Sequence, residues 1–561
     1  MSCDFVNIAA HLPEMARSRP YAPAVVCPAG RDRAGRARYT HWTFRQLDRE
    51  SDILARGLEA IGIGRGVRTV LMVPPGLEFF ALTFALFKAG TVPVLIDPGM
   101  GIKSLGRCLA EAAPAAFIGI PKAQLARRLL GWGRKTIRTA VTASHGPYGL
   151  TLDYVRYAAS KTSGNQEPYP IAPVQPDETA AILFTSGSTG PPKGAVYTHA
   201  NFAAQVATLR DLYAIGPGEI DLCTFPLFAL FAPALGMTAI VPEMDPTRPG
   251  QVDPTRIFEA IEAFGVTNMF GSPALLRRVA EYGAAHGVVL PTLRRVISAG
   301  APVPARVLET FATMLAPGVP IFTPYGATEA LPVASIDSGE ILGSTRHETD
   351  RGAGVCVGRP VAGMRVEIIR ISDDPIPAWS DDLVVPDGTI GEIVVQGPVV
   401  TREYFRRPEA TAPAKIADPA RGQGGFRHRM GDLGYRDPQG RIWFCGRKAH
   451  RVVTAGGTLY TIPCEAVFNT HPAVARSALV GVGPPGRMRP VLCVEPRTWP
   501  RAKADRDRIR RELLDLGATH AHTRPIRDVL FHRSFPVDIR HNAKIFREKL
   551  AAWAARTLRC R

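Results

Sequence analysis

Apolar and polar positions over the first 340 residues fall into two textures that take turns. Short β-branched runs lead into longer helix-like segments. "TVLMVPP" (69–75) precedes the apolar segment "GLEFFALTFALFKAG" (76–90), and "TVPVLIDP" (91–98) follows. "VTNMF" (266–270) runs into "SPALLRRVAEYGAAHG", and "RRVISAG" (294–300) into "PVPARVLETFATML". Parallel strands need a crossover, so this repetition predicts stacked βαβ units and largely parallel sheets. From about 352 the texture becomes strand-rich with turns, as in "MRVEIIRIS", "GTIGEIVVQGP" and "GRIWFCG". From about 448 a small α+β unit follows: "PCEAVFNTHPAV" as helix, "RSALVGVG" and "RPVLCVEP" as strands, and a basic helix over 502–516. The expected fold class is α/β. A large N-terminal domain (1–447) carries a β-rich subdomain at about 352–447, and a small C-terminal domain covers 448–561. The boundary falls in "GRKAHRVVTAGG", 446–457.

One stretch raises the question of a membrane span. "LCTFPLFALFAPALGMTAIVP" (222–242) has no charge over 21 residues, close to the roughly 20 that cross a bilayer. Pro226, Pro233, Gly236 and Pro242 break it, and Pro233 would remove a helix hydrogen bond near its middle. It reads as a buried strand end and a helix lining an apolar cavity, with peripheral membrane contact left open.

Composition narrows the class. The 561 residues are 46% hydrophobic, enough for a large core in several folding units. Nine scattered cysteines lack C-x-x-C or metal-ligand spacing, which fits a reducing cytoplasm. The start, "MSCDFVNIAAHLPEMARSRP", has no signal-peptide pattern. Net charge is +18, but residues 501–561 hold 16 Lys/Arg against 7 Asp/Glu, half the excess in a ninth of the chain. Such an end attracts phosphates of many kinds. Without zinc-finger spacing or an aromatic RNA-binding motif, nucleic acid is not the expected partner.

Chemistry concentrates in "TSGSTGPPKG" (185–194), with three glycines, four hydroxyls and one lysine. Glycines let backbone N–H groups approach an anion, and hydroxyls and lysine add donors, so the loop suits phosphate. It is not a Walker loop, because Gly190 is followed by two prolines and Lys193 by glycine. A flexible linker is the bland alternative, but the flanks "AAILF" and "GAVYTH" are strand-like. Further polar loops follow predicted strands, where α/β folds collect their ligands: "SAGAP" (298–302), and "TPYGATEA" (323–330) with Tyr325, Thr328 and Glu329. An acid beside a phosphate loop suits Mg²⁺. Asp432 in "MGDLGYRDPQG" could accept from ribose hydroxyls, and Arg447 follows in "CGRK". Singly, Glu329 reads as well as a helix-start acid, Asp432 as a turn former and Arg447 as a surface ion pair.

Together and in this order, "TSGSTGPPKGAVYTHAN", "YGATEA", "GEIVVQGP", "GDLGYRDPQGRIWFCGRK" and a late lysine resemble the adenylate-forming superfamily of acyl-CoA synthetases, luciferases and adenylation domains. The resemblance spans nearly the whole chain. It implies an AMP-forming, carboxylate-activating enzyme using ATP and Mg²⁺, with a mobile C-terminal lid. By resemblance, Thr185, Ser186, Gly187, Ser188, Thr189, Gly190 and Lys193 cradle the ATP phosphates. Gly300, Ala301, Pro302 and Tyr325 border the adenine, and Gly326 and Ala327 also contact the nucleotide. Thr328 touches the α-phosphate and the substrate carboxylate, Glu329 holds Mg²⁺, and Asp432 binds ribose beside Arg447. Lys544, in "FPVDIRHNAKIFREKL", is the catalytic lysine, whose charge offsets negative charge in the transition state.

Three positions depart from thioester-forming members: Ala229 stands where histidine is common, Ala449 replaces the hinge acid, and Ala543 replaces the glycine before the lysine. Gly456 and Gly457 persist, either along a pantetheine route or as a tight turn. "VPVLIDPGMG", "FPLFALFAPALGM" and "FPVDIRHNAKI" are more similar to the β-lactone synthetases of bacterial long-chain olefin biosynthesis. That subgroup implies a 2-alkyl-3-hydroxy fatty acid, activated as acyl-AMP and closed by its own 3-hydroxyl, and assembly with other enzymes of the pathway. A long-chain acyl-CoA or acyl-AMP ligase is the alternative; a non-catalytic nucleotide-sensing scaffold fits the nearly complete motifs less well. Phe228, Ala229, Leu230 and Phe231 are the expected wall for the alkyl chains, within the apolar stretch 225–241. His199 in "THAN" reads as either a base or a helix entry.

Overall fold

The computed structural model describes residues 6–144, 146, 148–162, 168–185, 190–225, 231–422, 424–537 and 545–559. The chain opens with an antiparallel pair, β1 (Pro23–Arg31) and β2 (Ala37–Thr43). It then builds a separate sheet from β3 (Arg68–Met72), β4 (Val92–Leu95), β5 (Ala116–Gly119), β6 (Thr139–Thr142), β7 (Leu150–Thr151), β8 (Thr179–Phe184) and β9 (Gly194–Thr198). Their spatial order is β7-β6-β5-β3-β4-β8-β9. All neighbours are parallel except β8 and β9, which form a hairpin around the glycine-rich loop.

A second seven-stranded sheet adds β10 (Ile220–Leu222), β11 (Thr238–Ile240), β12 (Asn268–Phe270), β13 (Arg295–Ile297) and β14 (Ile321–Phe322) to the opening pair. Its order is β14-β13-β12-β10-β11-β1-β2, parallel throughout apart from β1 and β2. The crossover helices sit where the pattern put them, at Leu77–Lys88, Pro273–Ala285 and Ala305–Ala312. Leu77–Lys88 is apolar on every face and is buried from Phe79 to Lys88, as a helix between packed layers must be. Phe80, Phe84 and Phe87 are fully buried in its core. Lys88 is also fully buried, its ammonium 2.6 Å from both Asp48 Oδ1 and Asp52 Oδ1.

The uncharged stretch 222–242 does not form one long helix. β10 ends at Leu222, a four-residue helix covers Phe231–Ala234, and β11 starts at Thr238. Gly236, at φ +78°, takes the backbone out of the helix, a conformation that glycine adopts without a Cβ penalty. Among the described residues, no helix is long and apolar enough to cross a membrane.

The antiparallel sheet comprises β15 (Tyr325–Ala327), β16 (Ala330–Ser335), β17 (Val355–Pro360), β18 (Arg365–Ile369), β19 (Gly391–Gln396), β20 (Lys415–Ala417), β21 (Phe426–Arg436) and β22 (Ile442–Arg447). Its first strand therefore lies well upstream of the change in texture at 352. The main path runs β15-β16-β17-β22-β21-β19-β18, with β20 added on β21. After it come a hairpin, β23 (Val452–Thr454) and β24 (Gly457–Leu459), and a three-stranded sheet of β25 (Val474–Val482), β26 (Arg489–Pro496) and β27 (Asp528–Phe531). The helices Thr461–Asn469, Lys503–Ala518 and Arg547–Arg559 accompany that sheet. Buried Glu465 joins three of these parts: it accepts from Leu479 N at 2.8 Å and from Arg547 Nη2 at 2.8 Å.

Candidate active site

The carboxyl ends of both seven-stranded sheets open onto one cavity of about 880 Å³, closed on a third side by the antiparallel sheet. The glycine-rich loop enters from β8 and leaves into β9. Its base is clamped by Thr185 N donating to Lys193 O at 2.9 Å and Lys193 N donating to Thr185 Oγ1 at 3.2 Å. Thr185, Gly190 and Lys193 line the cavity. Ser186, Gly187, Ser188 and Thr189 lie outside the described residues.

"YGATEA" is a tight hairpin, with Thr328 and Glu329 as the link between β15 and β16. A Cβ on Gly326 would meet the Ala330 carbonyl oxygen at 2.5 Å, so the hairpin closes only on glycine. Glu329 is thus a hairpin-tip acid rather than the first acid of a helix. Three hydrogen bonds fix the tip: Tyr197 Oη donates to Thr328 O at 2.6 Å, Thr401 N to Glu329 O at 2.8 Å, and Tyr404 Oη to Glu329 Oε1 at 2.6 Å. Lys193 Nζ sits 4.8 Å from the centre of the Tyr404 ring, a distance at which the ring face attracts a cation. One tyrosine therefore links the loop's lysine to the hairpin's carboxylate. Burial and the neighbouring Glu329 hold the Tyr404 phenol above its ordinary pKa, so it stays a donor.

Behind the cavity wall, β21 places Asp432 directly opposite Arg447 of β22. Asp432 is buried, so it is neither a turn residue nor half of a surface pair. Tyr325 Oη donates to Asp432 Oδ2 at 2.7 Å, and Arg447 Nη1 lies 3.1 Å from Asp432 Oδ1. Arg447 Nη1 also donates to Met430 O at 3.1 Å. The Asp432 carboxylate holds the Arg447 guanidinium above its ordinary pKa, while burial and the same carboxylate push the Tyr325 phenol well up. Gly431 precedes Asp432 at φ +67°, a backbone turn that brings its own peptide to the cavity.

Of the residues singled out in the sequence, Thr185, Gly190, Lys193, Phe231, Gly300, Gly326, Ala327, Thr328, Glu329 and Arg447 border this one cavity. Asp432 stands behind Arg447, and Tyr325 behind Asp432. Ala301 and Pro302 are not among the lining residues; the wall at that point is made by Ala299 and Gly300. Phe228, Ala229, Leu230 and Lys544 lie outside the described residues. His199 is the first residue of the helix His199–Leu212, capped by Thr198, and it does not border the cavity. Gly456 and Gly457 close the β23–β24 hairpin.

Several residues at the site carry no motif. Tyr404 and Gln205 line the cavity from segments that read as ordinary loop and helix. His428 also borders it, with Nδ1 3.0 Å from Ala414 O; burial and Lys415 keep its pKa well below the usual histidine value. Lys415 donates to Thr401 O. Burial lowers its amine to about 7, partly opposed by Glu329. A basic residue in a β-rich stretch gives no sign in sequence that its charge is buried near the Glu329 carboxylate.

Residues 12–405 match the AMP-binding enzyme family. The chain is 52% identical over 554 residues to an olefin β-lactone synthetase of Xanthomonas campestris, covering 98% of this chain and 97% of that protein. A second olefin β-lactone synthetase, from Stenotrophomonas maltophilia, is 50% identical, with 98% of each chain covered. In fold, the chain is similar to the amide bond synthetase McbA of Marinactinospora thermotolerans (TM-score 0.76, 23% identity, 97% of this chain and 99% of that one). ATP-bound MatB of Rhodopseudomonas palustris gives the same TM-score of 0.76 at 22% identity, over 98% of this chain and 99% of that one. A phosphate-type loop, an acid-tipped hairpin and a buried Asp–Arg pair on one cavity are thus features of a chain that belongs to the AMP-binding enzyme family.

Proposed function

We propose that the protein is an ATP-dependent β-lactone synthetase acting on a long-chain 2-alkyl-3-hydroxyalkanoic acid. The observation that carries this reading is identity of 52% and 50%, over essentially the whole length, to two proteins named olefin β-lactone synthetase. In the first half-reaction a carboxylate oxygen attacks the α-phosphorus of ATP and pyrophosphate leaves. In the second the 3-hydroxyl oxygen attacks the acyl carbon, the hydroxyl proton is lost and AMP leaves, which closes a four-membered ring. Holding the hydroxyl beside the acyl carbon is worth roughly 7–11 kcal/mol over a bimolecular attack if the geometry is right.

In this reading the 185–193 loop and Lys193 take the β- and γ-phosphates, and Thr328 faces the α-phosphate. Gly300 and the Tyr325–Ala327 strand flank the adenine. Asp432 takes the ribose, with Arg447 beside it. Among the described residues no group of three or more His, Cys, Asp or Glu could hold a metal ion. Glu329 suits Mg²⁺, an ion that takes one or two carboxylates and completes its shell with phosphate oxygens and water. When bound, Mg²⁺ supplies positive charge against the phosphates. Tyr404 keeps the Glu329 carboxylate oriented, and Lys544 is assigned to the transition state of adenylation. The reaction sites the protein with a soluble pool of ATP, in the cytoplasm, and assembly with partners that make the hydroxy acid or consume the lactone is consistent with it.

The test is product analysis by NMR with Mg-ATP and a syn/anti 2-alkyl-3-hydroxy acid, with and without CoA. A β-lactone and AMP formed without CoA are expected, and both should disappear with Lys544→Ala. A thioester that forms only when CoA is present would overturn the reading in favour of an acyl-CoA ligase.

A further inference from the structure

The cavity has two apolar flanks, and they belong to different sheets. One flank is aromatic and comes from the second sheet and the helix His199–Leu212: Phe202, Phe225, Phe231 and Phe270, with Leu331 from β16. Phe202 and Phe231 lie 6.1 Å apart between ring centres, as do Phe225 and Phe270. The other flank is aliphatic but for Phe79. It is formed by the carboxyl ends of β3, β4 and β5 with the helices beside them: Met72, Phe79, Leu95, Ile96, Ile120 and Ala123. Thr185, Lys193, Thr328 and Glu329 border the same cavity from β8, β9 and the β15–β16 hairpin.

The aliphatic flank is unsuited to nucleotide. From β3, β4, β5 and the segments that follow them, no Lys or Arg borders the cavity, and the one charged residue that does is Asp97, an anion that would repel phosphate. These residues pack into the cores beside the sheet and still border the cavity, so the flank is a wall that a chain can lie against. A substrate with one alkyl chain would leave one flank empty. A 2-alkyl-3-hydroxy acid carries chains on adjacent carbons, and each methylene taken from water contributes about 0.8 kcal/mol.

We infer that the two alkyl chains of the substrate are bound separately, one on the Phe202/Phe225/Phe231/Phe270 flank and the other on the Leu95/Ile96/Ile120 flank, with the carboxyl and the 3-hydroxyl held between them. This rests on the β-lactone reading above. Divergent chains would also fix the rotation about the C2–C3 bond, and so present the 3-hydroxyl to the acyl carbon.

The experiment crosses variants with chain lengths. Ile120→Trp and Leu95→Trp fill the aliphatic flank, and Phe231→Trp crowds the aromatic one. Each is assayed for AMP release with four acids: both chains long, only the 2-alkyl chain short, only the 3-alkyl chain short, and both short. The both-short acid reaches neither flank and reports that the variant is folded and can form adenylate. With both chains long, each variant should lose roughly tenfold or more in kcat/KM. Shortening one chain should rescue the Ile120 and Leu95 variants, and shortening the other should rescue Phe231→Trp. Rescue of all three by the same chain, or no dependence on chain length, would overturn the inference. If Ile120→Trp instead raises KM for CoA with an unbranched fatty acid, the flank serves a thiol acceptor and the inference is again overturned. Failure of the wild type to release lactone from any of the acids is a separate result, against the β-lactone reading itself.

Discussion

The two seven-stranded sheets share an architecture but present different chemistry at the cavity. The second sheet mixes small and polar residues with aromatic rings there: Thr224 and Phe225 after β10, Phe270 at the end of β12 with Ser272 beyond it, and Ala299 and Gly300 after β13. The first ends β3, β4 and β5 in Leu71–Pro75, Leu95–Ile96 and Ile120, nearly all apolar. Only at β8 does the first sheet turn polar, where Thr185 opens the phosphate-type loop. Parallel sheets collect ligands at their carboxyl edge whatever the ligand is; the residues just beyond each strand decide which part of a ligand settles there. Where a nucleotide and a two-chain lipid must meet, the apolar parts of both edges can take the chains and the polar parts the nucleotide, and the reaction belongs at the seam.

The largest effect is expected at that seam. Glu329→Gln keeps the size of the side chain and its hydrogen bond to Tyr404 but removes the charge. ATP–pyrophosphate exchange should fall by about 100-fold or more, since a charge aimed at the phosphates is lost. Tyr404→Phe should cost less, roughly tenfold, because it frees the carboxylate without neutralising it. Equal losses in the two variants would mean that the tyrosine, not the carboxylate charge, sets the activity.

The next test concerns what holds the apolar edge in place. The helix Leu77–Lys88 backs it, with Phe79 on the cavity, and is anchored by Lys88 between Asp48 and Asp52. Lys88→Met removes the one cation and leaves two partly exposed carboxylates near each other. The expected loss is about 3–5 kcal/mol in urea unfolding. A loss under about 1 kcal/mol, the range of exposed pairs, would show that the triad is not anchoring the helix.

The seam was far more legible in the sequence than its flanks. Thr185, Lys193, Thr328 and Glu329 sit in loops whose composition serves no packing purpose, so their chemistry shows without a fold. Their partners do not show. Tyr404 is one aromatic in a loop, and nothing local indicates that it will span Lys193 and Glu329, since that bridge exists only once the 403–405 segment pairs with β9. Asp432 and Arg447 were visible as motif residues, but each read equally as a turn acid or a surface cation until β21 and β22 set them opposite each other. The apolar flanks were hidden for a different reason. Leu95, Ile96 and Ile120 look like the rest of a buried parallel sheet, and only their place past the strand ends turns a core residue into a wall. The long uncharged run 222–242 was legible as a strand end and a helix beside an apolar cavity, and among the described residues it holds the end of β10 and the helical residues Phe231–Ala234, with Gly236 at φ +78° beyond them.

The smallest effect separates a buried histidine on the first sheet's side from the chemistry at the seam. His199 starts the helix after β9, is 1% exposed, and its backbone N–H donates to Glu178 O at 3.1 Å. Burial lowers its pKa from 6.5 to about 4; Glu178 opposes that shift and Arg65 adds to it. An unfolded chain takes up this proton near pH 6.5, but the folded chain holds it off until about pH 4. Between those values the unfolded state binds more protons, so stability rises with pH across that window and is lost as pH falls through it. The contribution is at most roughly 3 kcal/mol. His199→Gln should therefore flatten the slope of unfolding free energy between pH 4 and 6.5 relative to the parent. Adenylation at pH 8 should stay within about twofold of the parent, because an exposed or remote change is worth only tenths of a kcal/mol in the chemical step. A large drop in lactone formation with unchanged ATP–pyrophosphate exchange would instead make His199 the base for the 3-hydroxyl, and would move part of the chemistry from the seam into the first sheet.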